Sequence, residues 1–375
     1  MRARVALGIL ALAVLIVFVV LVTRKTKDFD QAMRAVGVEA ENYDEAMQRA
    51  GKAMAGRDYH KAREILRAAL PLAETPEQRS GVYSAIGGLF LTQKRGPEAR
   101  EAFHDALAIG GISPDKRFMI YKLIAMTWDD EEKPAEVRAT YARALQEKLS
   151  PRVRCLALAD LAAAWRDEGK PEKAKSTYAE LLKAAEAAGV EVDDYRWAIT
   201  HAQNSIGAIL AEEGDFAGAL EAHEKALWAR GGSEVFICLD VGEALIGLKR
   251  YSDARRVLAI LAEDQDIVPW FLRDMALALT AEALEAEGKQ DEAEQIQDQR
   301  LNDPGPTHVP EEFDAQADVA RRRNIRAASF LAIGRLCLDE GDKDKARETF
   351  TRIVEMEGAP AEYLEKAQAH LDAMD

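Results

Sequence analysis

The chain is organised by one recurring phrase, best seen at Gly214-Asp215-Phe216-Ala217-Gly218-Ala219-Leu220 and continuing through His223 to Ala226-Leu227. A tight turn at Gly214 and Asp215 leads into a helix whose small residues fall at Ala219, Ala222 and Ala226. Taking the first small residue of each such helix as an anchor gives Ala62, Ala99, Val137, Ala174, Ala219, Ala254, Ala293 and Ala346. Twelve residues earlier stand Ala50, Gly87, Ala125, Ala162, Gly207, Gly242, Ala281 and Gly334, all Ala or Gly. Nine residues earlier come the mostly bulky Ala53, Phe90, Trp128, Trp165, Leu210, Leu245, Leu284 and Cys337. Four residues later come Leu66, Phe103, Tyr141, Tyr178, His223, Leu258, Gln297 and Phe350. The chain is rich in Ala, but composition alone does not produce an unbroken register.

That register specifies a helical hairpin. A small residue on the first helix lets the second approach to roughly 8–10 Å between axes, while bulky residues one turn away fill the flanks. Gly207 is expected to permit such an approach at Ala219. A lone hairpin cannot bury its apolar face, so copies must stack. Most anchors lie 35 to 39 residues apart, near the ~34-residue period of tetratricopeptide (TPR) repeats. With Gly-Asp-Phe or an equivalent at the turn and Ala-Leu closing the second helix, residues 43–357 resemble that family. The turn aromatic persists as Tyr59, Phe216 and Tyr251 but gives way to Pro134, Pro171, Gln290 and Lys343. The seventh copy departs furthest, with Gln297 and Arg300 at apolar positions. The resemblance implies an all-α, right-handed superhelical solenoid of about eight helix-turn-helix repeats. In that family the first helices line a concave face where ligands lie.

Ahead of the repeats, residues 5–22 carry no charged or strongly polar side chain. Eighteen residues at 1.5 Å each make about 27 Å of helix, enough for a bilayer core. A cleaved signal peptide would want a shorter apolar region and a small-x-small site. Here the run ends directly in Thr23-Arg24-Lys25-Thr26-Lys27, so an uncleaved transmembrane anchor is expected after a tail of residues 1–4. Arg2 and Arg4 on one side nearly balance Arg24, Lys25 and Lys27 on the other. A very short tail is easily kept in the cytoplasm, which puts the repeats outside, as in a single-pass bacterial inner-membrane protein.

Residues 23–42 then read as a lead-in, 43–301 as repeats one to seven, 302–312 as a Pro-rich loop, 313–357 as repeat eight and 358–375 as a capping helix. Pro76, Pro114 and Pro151 separate the early repeats and suit the first turn of a helix.

Fifty Lys and Arg against 65 Asp and Glu give a net charge of −15, which argues against nucleic acid or anionic lipid as the repeats' partner. Arg321-Arg322-Arg323 with Arg326 runs against that trend and reads as a solvated helix flank or a docking patch. Neither His nor Cys residues show metal-site spacing, and no cofactor motif is present. Cys238 and Cys337 fall at packing positions and read as small buried hydrophobes rather than a disulfide. His201 and Ser205, one helical turn apart, come nearest to a nucleophile and base, a pairing that arises constantly on polar helix faces.

Surface therefore carries the function, and a non-enzymatic protein-protein interaction scaffold or chaperone-like assembly factor is expected, with no small-molecule substrate. The positions six and three before, and one and four after, each small packing residue share one face of the first helix. Candidate partner-binding residues there are Met119, Lys122, Met126 and Asp129, then Asn204, then Phe236, Leu239 and Glu243. Glu282, Glu285, Leu331 and Arg335 continue the set. Met, Leu and Phe mixed with acids suit an amphipathic protein or peptide ligand. With the body on the cytoplasmic side, the same protein would instead be an adaptor regulating a membrane-associated enzyme.

Overall fold

The structure is a computed structural model that describes residues 42–189, 193–229, 234–263, 270–302 and 315–374. The expected anchor and lead-in, and nearly all of the Pro-rich loop, lie outside these residues. Among them no helix is long and apolar enough to cross a membrane, and the regular secondary structure is entirely helical. Two compact units divide the chain after Gly169, inside the fourth repeat. The first holds α1 (Tyr43–Ala55), α2 (Tyr59–Ala69), α3 (Pro76–Thr92), α4 (Gly96–Ala108), α5 (Pro114–Asp129), α6 (Pro134–Ala144) and α7 (Pro151–Asp167). The second begins with α8 (Pro171–Ala188), α9 (Asp193–Glu212), α10 (Phe216–Ala229), α11 (Glu234–Gly247), α12 (Tyr251–Glu263), α13 (Trp270–Ala286) and α14 (Gln290–Asn302). It ends with α15 (Ala315–Asp339), α16 (Lys343–Val354) and α17 (Ala361–Met374).

Local chemistry explains where these helices start and turn. Thr75, Ser113 and Ser150 each cap a first helix by accepting a backbone N–H, and Pro76, Pro114 and Pro151 occupy the next position. There the absent proline N–H leaves no bond unmade. Five residues before every anchor the backbone is left-handed: Arg57, Lys94, Glu132, Gly169, Gly214, Lys249, Gly288 and Gly341 all have positive φ. At the central phrase the Gly214 N–H reaches the Ala211 carbonyl at 2.9 Å and the Asp215 N–H reaches that of Leu210 at 2.8 Å. This pair closes a Schellman turn. The same two bonds recur at Lys94 and Arg95, at Glu132 and Lys133, and at Lys249 and Arg250.

In the four hairpins whose small residue is glycine, its nearest neighbour is the bulky residue after the anchor. A Cβ added to Gly87 would lie 2.4 Å from the Phe103 ring, and one on Gly207 would lie 2.5 Å from the His223 ring. Gly242 stands in the same relation to Leu258, and Gly334 to Phe350. Gly207 therefore makes room first for His223. The residue sixteen positions after the small one lies across it, because its longer side chain spans the gap between the helices.

Successive hairpins stack in the order of the sequence, first helix beside first helix, through α1–α7 and again through α9–α14. A repeated ion pair joins them. The base following an anchor bonds the acid six before the next anchor: Arg100 to Glu131 at 2.7 Å and Arg138 to Glu168 at 2.6 Å in the first unit. Lys175 to Glu213 at 2.7 Å and Arg255 to Glu287 at 2.9 Å do the same in the second. Arg100 also lies 3.5 Å over the Trp128 ring, and Arg138 lies 4.5 Å over Trp165.

The eighth hairpin breaks the order. Helix α15 packs against α10, α11 and α12, and among the described residues makes no comparable contact with α14. Glu221 pairs with Lys345 at 3.6 Å, Arg250 with Asp339 at 2.7 Å, and Asp253 with Arg335 at 2.9 Å. The buried Glu224 accepts from Thr349 at 2.9 Å and from Arg352 at 2.7 Å. Burial raises its carboxyl pKa, an effect that Arg352 opposes. Apolar residues of α15, among them Phe330, Leu331 and Ile333, join one core with α11 and α12. Helix α14 is left as the terminal helix of the ordered stack, with α13 as its only substantial helix neighbour among the described residues. This accounts for Gln297, which is exposed where the other repeats bury a large side chain, since an array ends in a polar face.

Two substitutions test this geometry in chemical denaturation. Gly87→Leu should cost ~1–3 kcal/mol or more by driving side-chain atoms into Phe103. Gly214→Val, at φ 84, should cost ~1–2 kcal/mol through the left-handed turn. Unchanged unfolding midpoints would contradict the assigned contacts.

Candidate functional site

The first-helix face is presented differently in each repeat. Seven large hydrophobic side chains are exposed among the described residues, and three of them occupy one register position, six before the small packing residue. These are Met119 at 51% exposure in the first unit, and Phe236 at 50% and Met275 at 49% in the second. Phe271, at 44%, lies one helical turn before Met275.

In the first unit Asp129 is exposed and Met126 half-buried beside Met119's helix face, while Lys122 donates to Asp160 of the next first helix at 2.9 Å. In the second, Glu243, Glu282 and Glu285 are all exposed, and Glu285 accepts from Gln297 at 2.7 Å. The remaining candidates are engaged by the protein itself. Leu239 is buried in the core of the second unit. Leu331 is buried on α15, and Arg335 is held by Asp253. Repeat eight thus spends its share of this face on α12, a contact that only the returning hairpin creates.

Asn204 belongs to a polar network. Its Nδ2 donates to Asp240 on α11 at 2.9 Å, and its Oδ1 lies 2.8 Å from Nδ1 of His223 on α10. With Nδ2 committed to a carboxylate, Oδ1 must accept from an Nδ1–H, leaving Nε2 of His223 as the unprotonated nitrogen. That nitrogen is buried and has no hydrogen-bond partner. Burial lowers the His223 pKa from 6.5 to about 4, so the ring is neutral and structural at ordinary pH. The His201 ring meets Tyr178 edge-on at 5.9 Å, and Ser205 is buried. No group of three His, Cys, Asp or Glu among the described residues could hold a metal ion. All three cysteines are buried free thiols. In the basic cluster Arg326 is buried and Arg323 half-buried, so these two do not form a solvated flank. The side chains of Arg321 and Arg322 lie outside the described residues.

The sequence reading missed a second feature, a cleft within the second unit lined by α12, α15 and α17. It is built by the return of the eighth hairpin, for which the linear order of repeats gives no cue.

Neither the known family models nor the curated proteins include a match to this chain. Among solved structures, a tetratricopeptide repeat protein from Parabacteroides merdae aligns at 17% identity and TM-score 0.47, over 79% of this chain and 98% of that one. The C-terminal part of a TPR repeat-containing protein from Cytophaga hutchinsonii aligns at 15% identity and TM-score 0.43, covering 75% and 97%. PilF of Pseudomonas aeruginosa aligns at 16% identity and TM-score 0.41, covering 68% and 97%. Similarity at this level says nothing of a ligand.

The His223 network makes stability depend on pH. As pH falls below about 6.5 only the unfolded chain takes up this proton, so the contribution is lost progressively down to about 4. The difference between the two values amounts to ~3 kcal/mol at most. His223→Leu, which copies the Leu258–Gly242 contact, should remove this part of the acid sensitivity. Denaturant titrations of both proteins at pH 7 and pH 4.5 measure it. An equal loss of stability in the two would show that His223 is not the group responsible.

Proposed function

We propose that the protein is a non-enzymatic interaction platform that holds an amphipathic protein segment against its first-helix faces. The observation that carries this reading is the shared register of Met119, Phe236 and Met275. Scattered exposed apolar residues need no explanation, but large ones repeating at one helical position mark a surface that is covered in use. Two of the three are methionines, whose flexible thioether side chains adapt to varied partners. Basic side chains of a segment bound to the first unit would meet Asp129, and those of a segment bound to the second would meet Glu243, Glu282 and Glu285. Apolar contact supplies most of the affinity, because exposed charge pairs contribute only ~0–1 kcal/mol each.

Residues 5–22 would tether this platform in a membrane, with the repeats on the extracytoplasmic side. The support for this is the uninterrupted apolar run and the basic residues that end it. The alternative is a body on the cytoplasmic face that regulates a membrane-associated enzyme. A reporter active only in the cytoplasm, fused after Asp375, should give membrane-bound but inactive protein. A membrane-bound, active fusion would favour the alternative, and a soluble fusion would remove the anchor.

Crosslinking capture from membranes tests the binding face. Phe236→Ser with Met275→Ser should lower capture more than Glu282→Gln with Glu285→Gln, at unchanged helix content, and high salt should weaken it only modestly. Wild-type yield from the Phe236/Met275 variant would refute this reading.

A further inference from the structure

The cleft between α12, α15 and α17 has a volume of about 1070 Å3 and lies wholly within the second unit. Its floor is apolar, with Val257 and Ile260 from α12 and Leu331 and Ala332 from α15. Its charged groups are Arg256, Arg335 and Lys366 against Asp253 and Glu362. Both carboxylates are already in use. Glu362 pairs with Lys366. Asp253, almost fully buried, accepts from Arg250 at 2.6 Å, from Arg335 at 2.9 Å and from Arg256 at 3.4 Å. Arg250 is also held by Asp339 at 2.7 Å, so the three bases and two acids that line the cleft leave it one net positive charge, in a chain whose net charge is −15. Arg256 and Lys366 are also accessible, with side chains 59% and 49% exposed.

Length narrows the ligand further. On α15 the cleft runs from Ala320 to Arg335, fifteen steps of 1.5 Å, or about 22 Å. An extended peptide advances about 3.3 Å per residue, so about six or seven residues span it. Hydrogen-bonding groups are spread along this length, with Asn324 and Arg335 on α15 and Tyr363 and His370 on α17. A fatty acid calls for a dry channel with one charged end, and a small organic acid for one compact polar cluster. Polar groups dispersed over an apolar floor suit a peptide backbone.

We propose that this cleft is a second binding site, separate from the first-helix faces, for an extended protein segment that sets acidic side chains between apolar ones. Its carboxylates meet Arg256 and Lys366 at the rim, where the guanidinium fork matches carboxylate geometry. Its apolar side chains lie on Ala259 and Ile260, the partly exposed apolar residues of α12 in the cleft.

The test uses the full chain and a labelled, end-capped heptapeptide of alternating Leu and Glu, with a Leu/Lys heptapeptide as control. The acidic peptide should bind at least about tenfold more tightly than the basic one, and Arg256→Gln with Lys366→Gln should weaken it about tenfold. Both substituted residues are exposed, and circular dichroism should show unchanged helix content. Phe236→Ser with Met275→Ser should leave this binding intact, so failure here is distinguishable from failure of the first-helix reading. Equal binding of the two peptides, or wild-type affinity in the Arg256/Lys366 variant, would overturn the proposal. So would loss of binding in the Phe236/Met275 variant, or stoichiometric displacement of the peptide by palmitate, which would make the cleft a lipid site.

Discussion

The structure depends on a contact between a residue with little or no side chain and a bulky one sixteen positions later. Gly87 against Phe103, Gly207 against His223, Gly242 against Leu258 and Gly334 against Phe350 are four instances of it. The bulky member is buried in every repeat but the seventh. Close approach at this point holds the two helices of a hairpin together, and the left-handed turn five residues before the anchor gives the chain its direction of return. Half of these turns use Arg, Lys or Glu where glycine would be unstrained. The register is thus maintained against a local cost, and packing of the hairpin supplies what offsets it.

Stacking of hairpins rests on a different interaction, and its failure is as informative as its presence. The base after one anchor meets the acid before the next at four of the steps. Between repeats five and six the corresponding pair is Leu220 and Leu248, and both join the apolar core of the second unit. Between repeats seven and eight it would be Glu294 and Glu340, two like charges that are both exposed. Placing them together would be unfavourable. The eighth hairpin docks instead on α10 to α12, where basic and acidic partners do meet. Ion pairs of this half-buried kind choose the docking position more than they add stability. The polar character of α14 follows, since among the described residues only α13 packs substantially against it.

This rearrangement divides the first-helix residues into two groups. Met119, Phe236 and Met275 keep an apolar surface in solvent. Leu331 and Arg335, equivalent by register, are consumed by the protein itself and help to form the α12–α15–α17 cleft. One helical face thus contributes an open surface in some repeats and a wall of a cleft in another.

Much of the fold was legible in the sequence because helical hairpins are local. The spacing of Ala and Gly, the Ser/Thr-Pro starts and the turns are all set within some forty residues. The residue nearest to Gly207, His223, was not singled out by the register, since spacing alone does not say which nearby side chain reaches across. The candidate site was legible only as a face. Register identified Met119 and Phe236 as equivalent, but burial of Leu239 and Leu331 depends on which helix lies opposite. That choice is made between residues more than a hundred positions apart, as when Glu224 meets Arg352. The like-charged Glu294 and Glu340 hinted at it in the sequence. Tertiary structure alone decided it, because an alternative docking surface had to exist before the eighth hairpin could take it.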